Sequence, residues 1–177
     1  MQATAQAISA PDPSDYAPYF GKYITLVEGP VVTALDGQPR ETLALLSGLR
    51  EGQGDYRYAP HKWSIKEMLG HMIDTERVFS YRALRFARND QTPLASFEQD
   101  GYVRFGDFGN RRLADLIDEF AAVRQATVWL FRTLSADAWM RRGIASDNPI
   151  SVRAIAYIIA GHELHHRRIL REKYLAA

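Results

Sequence analysis

A chain of 177 residues, 46% hydrophobic and 24% charged, is sized for one domain with a full core. A net charge of +1 excludes a broad electrostatic footprint for nucleic acid, and the arginine pairs at 111–112, 141–142 and 167–168 read as solvated helix surface. The absence of cysteine excludes disulfides, thiolate ligands and a protein thiol nucleophile, and no run resembles a secretory signal or a membrane span, so a cytoplasmic protein with no membrane partner is expected.

Residues 1–15 are rich in Ala, Ser, Pro and Asp without periodicity and are expected to form a flexible leader, with 16–177 as the single domain. From Tyr16 to Val27 the density of aromatic and aliphatic residues suggests a segment packed over a bundle. A first helix is expected between Pro30 and Leu49, its apolar side carrying Val32, Leu35, Leu43, Leu46 and Leu49. Gly37 and Pro39 either kink that helix or restart it. After a loop over 52–60, Ser64 and Glu67 have the spacing of a capping box, and the second helix runs from there to about Arg88. It carries His71 inside the apolar run Met68-Leu69-Gly70-His71-Met72-Ile73, where Gly70 allows a neighbour to come close. Taken singly, such a histidine is more often a hydrogen-bonded core residue than a ligand.

Residues 89–110 form a long connection containing Phe97, Tyr102, Phe105 and Phe108 among several glycines. A connection of that length either covers a site or packs as an Ω-like loop on the end of a bundle. The third helix, Arg111 to Leu134, keeps helical spacing through Leu113, Leu116, Phe120, Thr127 and Phe131. A turn with Trp139 and a loop over 143–149 lead to the fourth helix, which starts near Ile150 or Ser151. No stretch shows sustained two-residue alternation, so no strand is expected. The fold class is therefore all-α, a four-helix bundle, an architecture whose core commonly hosts metal sites.

Three of the five histidines fall in the fourth helix, at 162, 165 and 166. His162 and His166, four residues apart, share one helical stripe with Val152, Ile155, Ile159 and Ile169, so both imidazoles point inward and can reach one ion. Burying two neutral imidazoles is costly unless their nitrogens find partners, which a divalent metal or neighbouring side chains can supply. His165 is an alternative ligand in place of His166. The letters His-Glu-Leu-His-His also match a zinc-protease pattern, but the metzincin extension would need Gly at 169 and His at 172, where this chain has Ile169 and Glu172. The chain then stops at Ala177, so a third ligand must come from upstream. With His71 added, three imidazoles would surround an ion and leave positions open, the pattern of a reactive site.

From about Tyr23 to Tyr174 the sequence resembles the DinB superfamily, the DinB/YfiT-like metalloenzymes. The resemblance is carried by Trp63-Ser64-Ile65-Lys66-Glu67, by Gly70-His71-Met72-Ile73-Asp74-Thr75-Glu76-Arg77, and by Gly161-His162-Glu163-Leu164-His165-His166 with Ile169-Leu170 following. It implies a four-helix bundle with a long crossover loop, and a metal held by His71, His162 and His166. It further implies activity as a thiol transferase using a low-molecular-weight thiol, or as an isomerase with such a thiol as cofactor, and a homodimeric assembly.

The function expected on this basis is a metal-dependent, thiol-dependent S-transferase acting on small electrophiles. A metal-dependent hydrolase and a non-enzymatic metal-binding bundle are the alternatives. Zinc, nickel, copper and iron all suit imidazole donors. Asp74, one turn from His71, and Glu163, beside His162, are candidate orienting groups for the ligands, and no residue is singled out as catalytic.

Overall fold

The computed structural model describes residues 8–176. Its helices are α1 (Gly21–Ile24), α2 (Val31–Gly37), α3 (Pro39–Ser47), α4 (Ile65–Ala87), α5 (Gln99–Phe105), α6 (Leu113–Arg132), α7 (Ala136–Met140) and α8 (Val152–Ile169). Two short strands, β1 (Arg142–Ala145) and β2 (Asn148–Ser151), four 3-10 turns and a π-helical extension of α8 over Leu170–Tyr174 accompany them among the described residues. Helix α4 packs against α6 and α8, and α2 packs against the same two, so α2–α3, α4, α6 and α8 make the four-membered bundle. None of the described helices is long and apolar enough to cross a membrane.

Local chemistry sets the helix boundaries. Ser64 and Glu67 form the expected capping box, the Ser64 N–H donating to Glu67 Oε2 at 2.7 Å and the Glu67 N–H to Ser64 Oγ at 3.2 Å. Ser151 accepts from the Ala154 N–H at 3.1 Å and starts α8. The start of α6 is satisfied from a distance: the Glu51 carboxylate accepts from the Leu113 N–H at 3.0 Å. Pro39 restarts the first helix rather than kinking it, because Gln38 separates α2 from α3 and a proline at the first helical position lacks only a donor the helix does not need there.

Helix α8 is the axis of the molecule. Every residue from Val152 to Glu163 is buried, as expected for a helix apolar on nearly all sides. Its closest neighbour is α1: a Cβ added at Gly161 would lie 2.0 Å from the Tyr23 carbonyl oxygen, so only glycine permits this approach.

Three sequence expectations are corrected. Strands do exist: β1 and β2 pair antiparallel through a two-residue turn in which Ser146 and Asp147 both adopt left-handed backbone, φ 52° and 59°. This twist joins short hairpins, and four-residue strands are too brief to show alternation. Residues 89–110 are not one loop, since they contain α5 and a parallel bridge from Leu94 to Ala145. Of the expected leader, residues 1–7 lie outside the described residues, whereas residues 8–15 pack on α8. Arg153 donates to Asp15 at 2.8 Å, to Asp12 at 2.7 Å and to the Ser9 hydroxyl at 2.9 Å, and the Tyr157 hydroxyl donates to the Ile8 carbonyl at 3.2 Å.

Candidate metal centre

The bundle brings His71 of α4 against His162 and His166 of α8, all three buried. The Nε2 atoms of His71 and His162 lie 3.1 Å apart, as do those of His162 and His166, and one ligand atom from each residue falls within 4.8 Å of the others. A ring nitrogen has one in-plane site, either a proton or a lone pair. His162 Nε2 can therefore satisfy one of its two neighbours, and the other contact stays unfavourable without a cation. Metal–imidazole bonds of about 2.0–2.1 Å at tetrahedral angles separate donors by about 3.3 Å, close to the observed spacing.

Electrostatics prepares the same donors. Burial pushes the His71 imidazole down to about 4, with the charge of His165 adding to the effect. Burial also holds His162 and His166 well below the ordinary histidine range, neighbouring imidazoles reinforcing it. All three are neutral at physiological pH, the form that coordinates metal. The Thr75 hydroxyl sits 3.4 Å from His71 Nδ1 and orients the ring, while His166 Nδ1 is buried without a partner. The donor set thus fits a divalent ion.

The remaining sequence candidates lie elsewhere. His165 stands outside the cluster, packing edge-on against Tyr23 at 5.4 Å between ring centroids. Asp74 faces Arg77 at 3.6 Å and makes no contact with His71, whose ring is held by Thr75 instead. The reason is angular: Thr75, four residues on, stacks over His71, whereas Asp74 is displaced around the helix. Glu163 turns away from the histidines and enters a buried knot. Its carboxylate accepts from Gln38 Nε2 at 2.6 Å, from the Thr42 hydroxyl at 2.6 Å and from Arg124.

Arg124 and Glu76 are the residues that sequence reasoning missed. Arg124 donates to both Glu76 oxygens at 2.8 Å and bridges that carboxylate to Glu163, tying α4, α6 and α8 together. Burial opposes the Arg124 charge, but the two carboxylates more than offset it and raise its pKa. Glu76 lies in the resembling Gly70–Arg77 motif, and its place one turn and a half beyond His71 was the available signal.

Two roomy cavities reach the histidines. One, of about 260 Å³, is lined by His71 and His162, by Phe20, Tyr23 and Phe79, and by Phe97 from the 89–110 connection. Another, of about 360 Å³, is lined by His166 with Tyr58, His61, Lys62 and Trp63. The 89–110 connection covers this end of the bundle. Phe108 fills the notch at Gly70, where a Cβ would come within 2.4 Å of its ring.

The sequence pattern of the DinB superfamily matches residues 34–170. Among solved structures, the chain is similar to YfiT from Bacillus subtilis, described as a probable metal-dependent hydrolase with an unusual four-helix bundle topology. The TM-score is 0.71 at 16% identity, covering 92% of this chain and 89% of that one. It is also similar to a mycothiol-dependent maleylpyruvate isomerase, with a TM-score of 0.66 at 10% identity over 78% of this chain and 58% of that one. At these identities the likeness establishes the fold. No curated protein matches the sequence at a significant level.

Proposed function

Because the chain belongs to the DinB superfamily over residues 34–170, we propose that it is a metal-dependent enzyme whose ligands are His71, His162 and His166. The observation that carries this reading is the meeting of three buried, neutral imidazole nitrogens at the wall of a cavity large enough for a small molecule. A divalent cation there, zinc, nickel or iron, would supply Lewis acidity, making a thiol or water easier to deprotonate near neutral pH.

The reaction we favour is S-transfer: the sulfur of a small thiol bonds to an electrophilic carbon, the leaving group departs with the bond electrons, and the thiol proton is released. Two separate cavities at one histidine cluster support it, since a two-substrate reaction needs two places to bind. The chain has no cysteine, so the thiol comes from outside. Thr75 holds the His71 ring. Tyr23 lines the chamber with a phenol that burial keeps protonated, a hydrogen-bond donor for the substrate. Phe20, Phe79 and Phe97 exclude water from the chamber. Hydrolysis by activated water is the second reading, favoured by the description of YfiT.

The first test is elemental analysis of protein purified without added metal or a histidine tag. Near-stoichiometric metal in wild type, lost in His71→Ala and His162→Ala, is expected. A wild-type protein that is metal-free and cannot be loaded with zinc, nickel or iron would overturn the proposal. Loaded protein given 1-chloro-2,4-dinitrobenzene and a small thiol then separates the readings by mass spectrometry. A thioether formed faster than in protein-free buffer or with His162→Ala supports transfer, and a dinitrophenol formed above the same blanks supports hydrolysis.

A further inference from the structure

Among the described residues four cationic side chains are buried: Lys66, Arg82, Arg124 and Arg153. Three have carboxylate partners. Lys66 pairs with Glu51 and Asp55, Arg124 with Glu76 and Glu163, and Arg153 with Asp12 and Asp15. Arg82, only 4% exposed, forms no ion pair among the described residues. One terminal nitrogen donates to the Ala95 carbonyl at 2.8 Å and the Ser146 hydroxyl at 3.1 Å, both neutral acceptors. Its Nε and Nη1 N–H groups have no acceptor among the described residues and are not sealed from solvent, and the side chain lines the cavity together with His71 and His162. A buried guanidinium without a counter-charge is costly, and the donors left on Nε and Nη1 suit a carboxylate oxygen.

The placement of the charge fits a substrate spanning the chamber. His71, Thr75, Phe79 and Arg82 follow one face of α4 in steps of four, four and three. Helical side chains lean toward the N-terminus, and the Arg82 guanidinium lies over the Phe79 ring, 5.2 Å from its centroid, one turn nearer His71 along the same face. Phe97 flanks it on the other side at 5.8 Å. Among the described residues no other cationic side chain lines this cavity, while Glu98, which also lines it, is kept ionised by the Asp100 and Gly101 N–H groups. A dianionic phosphate would meet one partner and one repelling charge. A monoanionic carboxylate on an apolar body meets one cation with free donors, and aromatic walls.

We infer that Arg82 is the anchor for the carboxylate of the substrate, which places the reacting carbon of a small aryl or alkyl carboxylate toward the histidine cluster. The inference rests on reading this cavity as the substrate chamber of the proposed enzyme.

The test is calorimetric titration of zinc-free and zinc-loaded protein with benzoate and with its uncharged isostere benzamide. Wild type is expected to prefer benzoate by roughly tenfold in both forms, as a charge-assisted contact implies. Arg82→Gln is expected to abolish the preference while leaving benzamide binding within about threefold. Equal or undetectable binding of the two probes by wild type, or a preference that survives in Arg82→Gln, would overturn the inference. Benzoate held by zinc alone would show as such a surviving preference confined to the loaded form. If circular dichroism shows Arg82→Gln to be unfolded, Arg82→Lys decides. It keeps a single charge but on a shorter reach and without the planar donor set, so a preference reduced by roughly threefold supports the anchor and an unchanged one overturns it. Failure of the metal proposal would appear separately, as protein that takes up no zinc, and leaves the zinc-free comparison valid.

Discussion

Helices α4 and α8 carry two buried polar clusters side by side, and the two are built on opposite terms. In the Arg124 knot every charged oxygen of Glu76 and Glu163 has a donor, and Gln38 and Thr42 complete the set. In the histidine cluster, the single in-plane site of His162 Nε2 faces two neighbours, and His166 Nδ1 has no partner among the described residues. His162 and Glu163 are consecutive residues, so one peptide unit separates a satisfied site from an unsatisfied one. The difference teaches what each is for. A satisfied buried network fixes the relative positions of the helices, and an under-satisfied one persists where a ligand completes it.

Breaking the knot has the largest expected effect. Arg124→Met leaves two buried carboxylates facing each other without a cation, and a loss of about 3–5 kcal/mol in urea unfolding is expected. An effect below about 1 kcal/mol would mean that the knot contributes little to holding the helices.

Acid should discriminate the clusters next. In metal-stripped protein the unfolded imidazole has a pKa of 6.5, whereas burial holds His71 at about 4, so between these values the unfolded chain binds a proton that the folded one refuses. Stability is therefore full above about pH 6.5 and falls as the pH drops toward 4, by about 3 kcal/mol for His71, with His162 and His166 acting in the same direction. Urea titrations at pH 7 and pH 4.5 check the sign, and His71→Ala should flatten the slope. A profile unchanged by that substitution would assign the acid sensitivity elsewhere.

The smallest effect sharpens the comparison most. Thr75→Val removes the hydroxyl beside His71 Nδ1 while keeping its shape. Competition with a chromogenic chelator should show zinc affinity reduced by about tenfold, whereas stability changes by less than about 1 kcal/mol. A variant that loses stability but keeps its zinc affinity would reverse the assignment of Thr75.

The same contrast explains what could be read from the sequence. Periodic apolar stripes locate the long helices within a few residues, and His162 and His166 stand out because imidazoles four residues apart on an apolar face are uncommon. The knot is harder to see. Arg124, Glu76 and Glu163 each look like residues on a charged helix face, and only the three-dimensional meeting of α4, α6 and α8 makes them partners. Asp74 is the instructive contrast: proximity in sequence suggested it for His71, but the helix angle delivers Thr75. The hairpin escaped because its turn uses Ser146 and Asp147, without the glycine that usually marks left-handed backbone.

Trp63 packs against His71 with ring centroids 4.7 Å apart. The other two tryptophans are placed differently: Trp139 is stacked on Phe131 in the core, and Trp129 lies largely exposed on α6. An indole in contact with an imidazole changes its emission when that imidazole gains a proton or a paramagnetic ion, because both quench the excited state at short range. The chain therefore carries its own optical probe. Nickel or copper arriving at His71 should dim Trp63 selectively, and a Trp63→Phe variant supplies the dark reference against which occupancy can be followed in real time.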